Sequence, residues 1–211
     1  MNWRRRSLSY GGDHDDKRAA RLFLYRHVRA APIQGHAVTL AGTEPESEIE
    51  LMRDYLKWPA HRSWFVDNSL RPEVVKALVR AKKQWPESNV IRANLRNLLP
   101  KVGPIGFANL DFMGTPLQKE TVQCLYETAS RLLPGAIMGF TWMRGREYIE
   151  GRESSQLLWK LGKGFKGNER RWAGVLRAVD QISDGTLKLI GKWEYLSNHS
   201  PMSVAVFQNQ V

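Results

Sequence analysis

The chain has one cysteine, Cys124, which rules out an intramolecular disulfide and a structural metal site built from thiolates. A reducing, intracellular setting is therefore expected. Long apolar runs are also missing. None approaches the ~20 residues that a membrane-spanning helix needs, and the charged N-terminus, with Arg4, Arg5 and Arg6, lacks the apolar segment of a signal peptide. No Pro-, Gly- or Ser-rich linker divides the 211 residues, so one domain with extensions is expected. Acidic residues are scarce: 21 Asp and Glu stand against 32 Lys and Arg, a formal charge of +11. That balance favours a polyanionic partner such as nucleic acid. Together these absences point to a soluble, cytoplasmic protein with no membrane association.

What is present is an alternation. Between His36 and Glu147 short apolar runs are followed by stretches of helical periodicity, the pattern of a parallel sheet covered by helices. Strands are expected at Ala37–Gly42, Ser63–Asp67, Val90–Ala93, from Ile105 into Asp111-Phe112-Met113-Gly114, and at Ala136–Met143. Thr43-Glu44-Pro45-Glu46 reads as a capping box with proline in the first turn of a helix reaching about Lys57. Asn68 and Ser69 are placed to cap a helix from Leu70 to Gln84. A second capping box, Thr115-Pro116-Leu117-Gln118, opens a helix with Val122, Leu125, Ala129 and Leu132 on its buried face, stopped by Pro134-Gly135. Trp193 and Tyr195, then Met202, Val204 and Val206, alternate across the turn Ser197–Pro201 as an antiparallel hairpin. The expected fold is α/β: a Rossmann-like, mostly parallel sheet flanked by helices, ending in a C-terminal antiparallel β-hairpin. Residues 1–34 form a basic N-terminal extension and helix; residues 35–211 form one domain with a basic aromatic insert at about 144–172.

In such sheets ligands sit at the carboxyl ends of the strands, so Gly42, Asp67 and Asp111 are expected to face one crevice. Asp67 is placed to accept hydrogen bonds from both hydroxyls of a ribose, or simply to cap the next helix. Glu44, Glu46 and Glu48 crowd a helix N-terminus that would otherwise welcome phosphate. They admit a cationic ligand, or merely complement the helix dipole. Arg18, Arg21, Arg26 and Arg29 fall within one sector of a helix over Lys17–Ala31, whose Leu22, Phe23 and Val28 are available for burial. A row of guanidinium groups suits phosphate contacts, or forms a solvated face. Arg146, Lys160, Lys163, Lys166, Arg170 and Arg171 are interleaved with Phe165 and Trp172 in a glycine-rich stretch. Such a loop can grip phosphates and stack bases, unless its aromatics pack underneath. Asp13-His14-Asp15-Asp16 reads as a helix start rather than a metal site, and Cys124, inside a helix, as inert.

From about Gly35 to Gln208 this order of elements resembles the class I S-adenosylmethionine-dependent methyltransferases. Phe107–Phe112 and Met143–Glu147 are also similar to uncharacterised methyltransferase-like proteins of bacteria and phages. The resemblance implies S-adenosylmethionine as cofactor. Ala41, Gly42, Thr43 and Glu44 would pass under its methionine part, Asp67 with Asn68 would hold the ribose, and Asn94 and Leu95 would flank adenine. Asp111, Phe112 and Met113 would border the reaction centre, with Asp111 orienting or deprotonating the acceptor. The chain departs from the family's pattern in having Gly42 alone where a Gly-x-Gly loop is usual, and Asn94 where an acid is usual. It also lacks the Asn/Asp-Pro-Pro-Tyr/Phe motif of exocyclic-amine methyltransferases and the Pro-Cys nucleophile of pyrimidine C5 chemistry. A methyltransferase acting on nucleic acid is the first expectation. The second is a methyltransferase-like fold without turnover that binds nucleic acid or serves in an assembly. A nuclease holding Mg²⁺ between Asp67 and Asp111 is the third, without the lysine-containing pattern that would accompany it.

Overall fold

Among the described residues seven strands form one sheet: β1 (His36–Leu40), β2 (Ser63–Asp67), β3 (Asn89–Arg92), β4 (Ile105–Asp111), β5 (Leu132–Met143), β6 (Leu187–Ser197) and β7 (Ser200–Asn209). Their order is β3-β2-β1-β4-β5-β7-β6. The first five are parallel, and β7 runs antiparallel to both β5 and β6. This is the Rossmann-like sheet with a terminal hairpin that the alternation implies. The computed structural model describes residues 12–42, 44–112, 116–143, 156–157, 160–197 and 200–211.

Helices cover both faces, because the buried strands are apolar on both sides. One layer contains α1 (Gly12–Arg29), α2 (Pro45–Glu50), which continues as a π-helical turn over Leu51–Tyr55, and α3 (Pro72–Gln84). They pack Leu24, Tyr25, Ile49, Met52 and Leu78 against Ala37, Phe65, Phe107 and Val206. The other layer contains α4 (Leu95–Leu98), α5 (Lys119–Ala129) and α6 (Gly167–Ile182). It packs Leu95, Leu125, Val175 and Val179 against Val38, Ala108, Met138 and Phe207. Among the described residues no helix is long and apolar enough to cross a membrane.

Several local expectations are corrected. In α1 the residues turned inward are Ala20, Leu24, Tyr25 and Val28, while Leu22 and Phe23 are only partly covered. The helix presents to the sheet a sector one residue away from the one its aliphatic residues suggest. The helix N-termini are capped differently. The residue before α2 is Glu44, that before α3 is Arg71 and that before α5 is Gln118, none with a side-chain capping bond. Thr43 and Thr115 lie outside the described residues. Pro134 and Gly135 do not stop a helix. Arg131 N–H closes the end of α5 onto Thr128, and Leu132 already opposes Ile105 in the sheet. Between that pair and Phe107 opposite Ile137, β5 runs through more residues than β4, and Gly135 takes the slack at φ +76°.

Candidate active site

The strand register lines up the carboxyl edge. Leu40 opposes Val66, Thr39 opposes Asn109, Asp67 opposes Arg92 and Asp111 opposes Thr141. Continuing the register beyond β1 sets Ala41 between Asp67 and Asp111. The two carboxylates therefore flank the loop that starts at Gly42. They end strands that are not neighbours, since β1 lies between β2 and β4. Two inter-strand spacings of about 4.8 Å each separate their backbones. Among the described residues no cluster of three His, Cys, Asp or Glu side chains could hold a metal. Asp67 and Asp111 do not end neighbouring strands, the placement expected of a Mg²⁺-holding pair.

Each described residue of the expected crevice has a definite place. Ala41 is buried, its N–H donating to Val66 O over 3.0 Å. Gly42 has φ +59°, and nothing lies within 4 Å of where a Cβ would stand. Asp67 Oδ1 accepts from Ser69 N–H at 2.7 Å, holding the turn after β2, and Asn68 beside it is exposed. Asn94 caps α4, its Oδ1 accepting from Arg96 N–H at 3.0 Å. Its amide nitrogen is left as the side-chain donor facing out. Leu95 is part of the core, and Phe112 packs edge to face on Phe140 at 6.0 Å. Thr43 and Met113 lie outside the described residues.

The acidic first turn of α2 meets a cation from the chain itself. Arg21 of α1 bridges Glu44 at 2.9 Å and Glu48 at 2.6 Å, and Arg80 of α3 meets Glu46 at 3.2 Å. Glu48 also accepts from the Tyr25 hydroxyl and, at 3.4 Å, from Thr39 Oγ1. Burial opposes the charge on Arg21, and the two glutamates outweigh it, holding the guanidinium above its ordinary pKa. Burial and Glu48 push the Tyr25 phenol well above its usual range. Arg21 is thereby withdrawn from the solvent-facing row in which it was expected; Arg18, Arg26 and Arg29 are exposed, with Arg29 over the Tyr55 ring at 5.0 Å. Between α1 and the π-helical turn runs a groove of about 570 Å³ lined by Arg18, Glu44, Ser47, Glu50, Asp54 and Tyr55.

Asp111 points beneath α1. Its Oδ1 is shut off from solvent and has no hydrogen-bond partner among the described residues. It borders a cavity of about 20 Å³ lined by Lys17, Arg21, Asn109, Thr141 and Tyr195, about the size of one water molecule. Burial raises the Asp111 pKa; nearby Lys17 and Arg21 oppose that rise and Glu48 adds to it. Tyr195 is raised by burial first and by the Asp111 charge second. Sequence reasoning did not single out Tyr25, Thr39, Asn109 or Thr141, and it placed Tyr195 in the hairpin only. The available signal was a polar residue interrupting an apolar run, as Thr39 does within β1 and Asn109 within β4.

The basic aromatic stretch divides. Lys160, Lys163, Lys166 and Phe165 are exposed, with the Arg177 guanidinium over the Phe165 ring at 5.6 Å. Arg170 and Arg171 are partly covered on α6. Trp172 packs underneath, 4.8 Å from Trp142, its indole N–H donating to Glu194 at 2.7 Å. Arg146 lies outside the described residues. Burial pushes the Cys124 thiol up to about 11, so at neutral pH it is not a thiolate nucleophile.

No family model matches the sequence, and no curated protein matches it by sequence. Solved structures do match in shape. The chain is similar to the N-methyltransferase NodS from Bradyrhizobium japonicum WM9, with TM-score 0.55 and 13% identity over 94% of this chain and 99% of that one. NodS has also been crystallised in complex with S-adenosyl-L-homocysteine. Similarity extends to an rRNA methylase from Streptococcus thermophilus, with TM-score 0.56 and 13% identity over 90% and 95% of the two chains. It extends also to TrmN from Thermus thermophilus, with TM-score 0.55 and 13% identity over 90% of this chain and 48% of that one. The fold is that of the class I S-adenosylmethionine-dependent methyltransferases, in a divergent sequence.

Proposed function

We propose that this methyltransferase-like chain is an S-adenosylmethionine-dependent methyltransferase acting on nucleic acid. The observation that carries the reading is the carboxyl edge, where Asp67 and Asp111 stand on either side of the loop beginning at Gly42. The open space beside Gly42, at positive φ, suits close approach of a ligand to backbone. Asp67 keeps Oδ2 to accept from ribose hydroxyls, and Asn94 keeps its amide N–H₂ to donate to a ring nitrogen of adenine. In this reading Ala41, Glu44, Leu95 and Phe112 would border the cofactor beside them.

When bound, the cofactor supplies an electrophilic methyl group. The chain's own contribution is alignment of the acceptor. Asp111, its pKa raised by burial, is suited to take the acceptor's proton. The exposed Arg18, Arg26, Arg29, Lys160, Lys163 and Lys166 supply phosphate contacts.

Calorimetric titration of S-adenosylmethionine and S-adenosylhomocysteine into the wild type and Asp67→Ala tests the cofactor half. A charge-assisted hydrogen bond contributes about 1.5–3 kcal/mol, so binding should weaken at least about tenfold in the variant. Wild-type protein that binds neither compound would sink this half. Transfer of labelled methyl to DNA or RNA tests the other. A second reading, a non-catalytic nucleic-acid-binding or assembly protein, is favoured by Asp111 Oδ1 lying beneath α1 beside Lys17 and Arg21. It requires nucleic-acid binding without cofactor affinity.

A further inference from the structure

Where α1 crosses the free edge of the sheet, Phe23 and His27, one helical turn apart, lie against β6. Their rings meet edge to face at 5.1 Å, and Phe23 lies 5.4 Å from Trp193 at an interplanar angle of 32°. Gly191 permits this contact. A Cβ there would stand 2.7 Å from His27 Nε2 and 2.9 Å from Phe23 Cζ, so a side chain would push both rings off the strand. Braced from behind, Trp193 keeps 41% of its surface exposed. Lys188 opposes Gln208, and Gly191 and Trp193 oppose Val206 and Val204, so all three share the α1 side of β6. Lys188 is exposed, as is Arg26 beside His27.

β6 is an edge strand, yet its edge is ill suited to pairing with another chain. The register breaks between Leu189 and Gly191, and Lys188 and Lys192 are exposed along it. A bulge and edge lysines both suppress backbone pairing. What remains on offer is a set of side-chain faces: an indole packed on Phe23, which in turn meets His27, with exposed Lys188 further along the same side of the strand, on a chain of net charge +11.

We propose that this patch is a stacking site for single-stranded nucleic acid, a base lying on Trp193 and the adjoining phosphates on Lys188 and Arg26. Bases inside a duplex have both faces covered by their neighbours, so a surface indole can stack only on an unpaired one. The site rests on the nucleic-acid half of the function proposed above and is independent of methyl transfer.

Fluorescence anisotropy of a short labelled oligonucleotide with the full chain tests it, using RNA, DNA and the matching duplex in parallel. Trp193→Ala should weaken single-strand binding about tenfold with an unchanged salt slope, and Trp193→Phe should recover part of the loss. Lys188→Gln should lower the slope of log K against log salt by about 0.7, one phosphate contact. Single-strand affinity unchanged in a folded Trp193→Ala protein would overturn the proposal. So would tighter binding of the duplex, or a dimer that Trp193→Ala converts to monomer, which would assign the patch to a second copy. A wild type that binds no oligonucleotide would overturn it together with the nucleic-acid half of the function. The cofactor titration, which this patch does not enter, reports on the other half separately.

Discussion

Glu48 is the residue on which the helix-covered side of the site depends. Its side chain is 2% exposed and gathers Arg21, Tyr25 and Thr39. Removing one partner of a buried pair leaves the other charge uncompensated, at a cost of about 3–5 kcal/mol. Glu48→Ala should fall in that range by urea denaturation, and a loss below about 1 kcal/mol, the scale of an exposed pair, would show that the bridge is solvated. Asp111 gives a pH signature. Burial raises its pKa in the folded state, so the carboxylate form destabilises the fold at pH above that value. The penalty disappears as pH falls below the unfolded value of about 3.9. Asp111→Asn should therefore raise Tm near neutral pH, by about 2–4 °C for each kcal/mol relieved, and the gain should shrink toward pH 4. A gain that is constant across that range would rule out this origin.

At the scale of elements, Gly106 sets how three strands meet. It sits inside β4 at the register shifts toward both β1 and β5, and a Cβ on it would collide with the carbonyl of Gln34 in the segment leading into β1. Backbone cannot swing aside as a side chain can. Gly106→Ala should therefore cost about 1–3 kcal/mol, the usual range for overpacking. Gly191→Ala meets only side-chain ends, at His27 and Phe23, and should cost less. Differential scanning calorimetry of both variants checks the order, and equal Tm losses would contradict it. The strands themselves were legible, since an apolar run such as Ala37–Ala41 or Ile105–Leu110 has few alternatives. The helix starts were less so. Thr43-x-x-Glu46 contains a proline two residues on and Thr115-x-x-Gln118 a proline one residue on, and the observed residues before α2 and α5 are Glu44 and Gln118.

For the whole molecule the net charge of +11 is the dominant fact. Nucleic-acid affinity should fall linearly in log K against log salt, with a slope near −0.7 for each phosphate contact to a single strand. A salt-independent affinity would exclude the exposed arginines and lysines as contacts. The charge is not uniform in use. Arg21 is consumed by Glu44 and Glu48, whereas Arg18, Arg26, Lys163 and Lys166 face solvent. No one-dimensional spacing rule separates these groups, because the difference lies in what stands opposite.

The sequence by itself determined the α/β class, the succession of strands and helices, the terminal hairpin and the two acids at strand ends. Those features follow from local periodicity and turn chemistry, which act over a few residues. Only the tertiary structure decided the strand order that inserts β1 between β2 and β4, and with it the distance between Asp67 and Asp111. It also decided that α1 lies over the carboxyl edge with Arg21 locked to Glu48. Both depend on contacts between segments far apart in the chain, where the free energy of burying a face, and not the propensity of any residue, selects the partner.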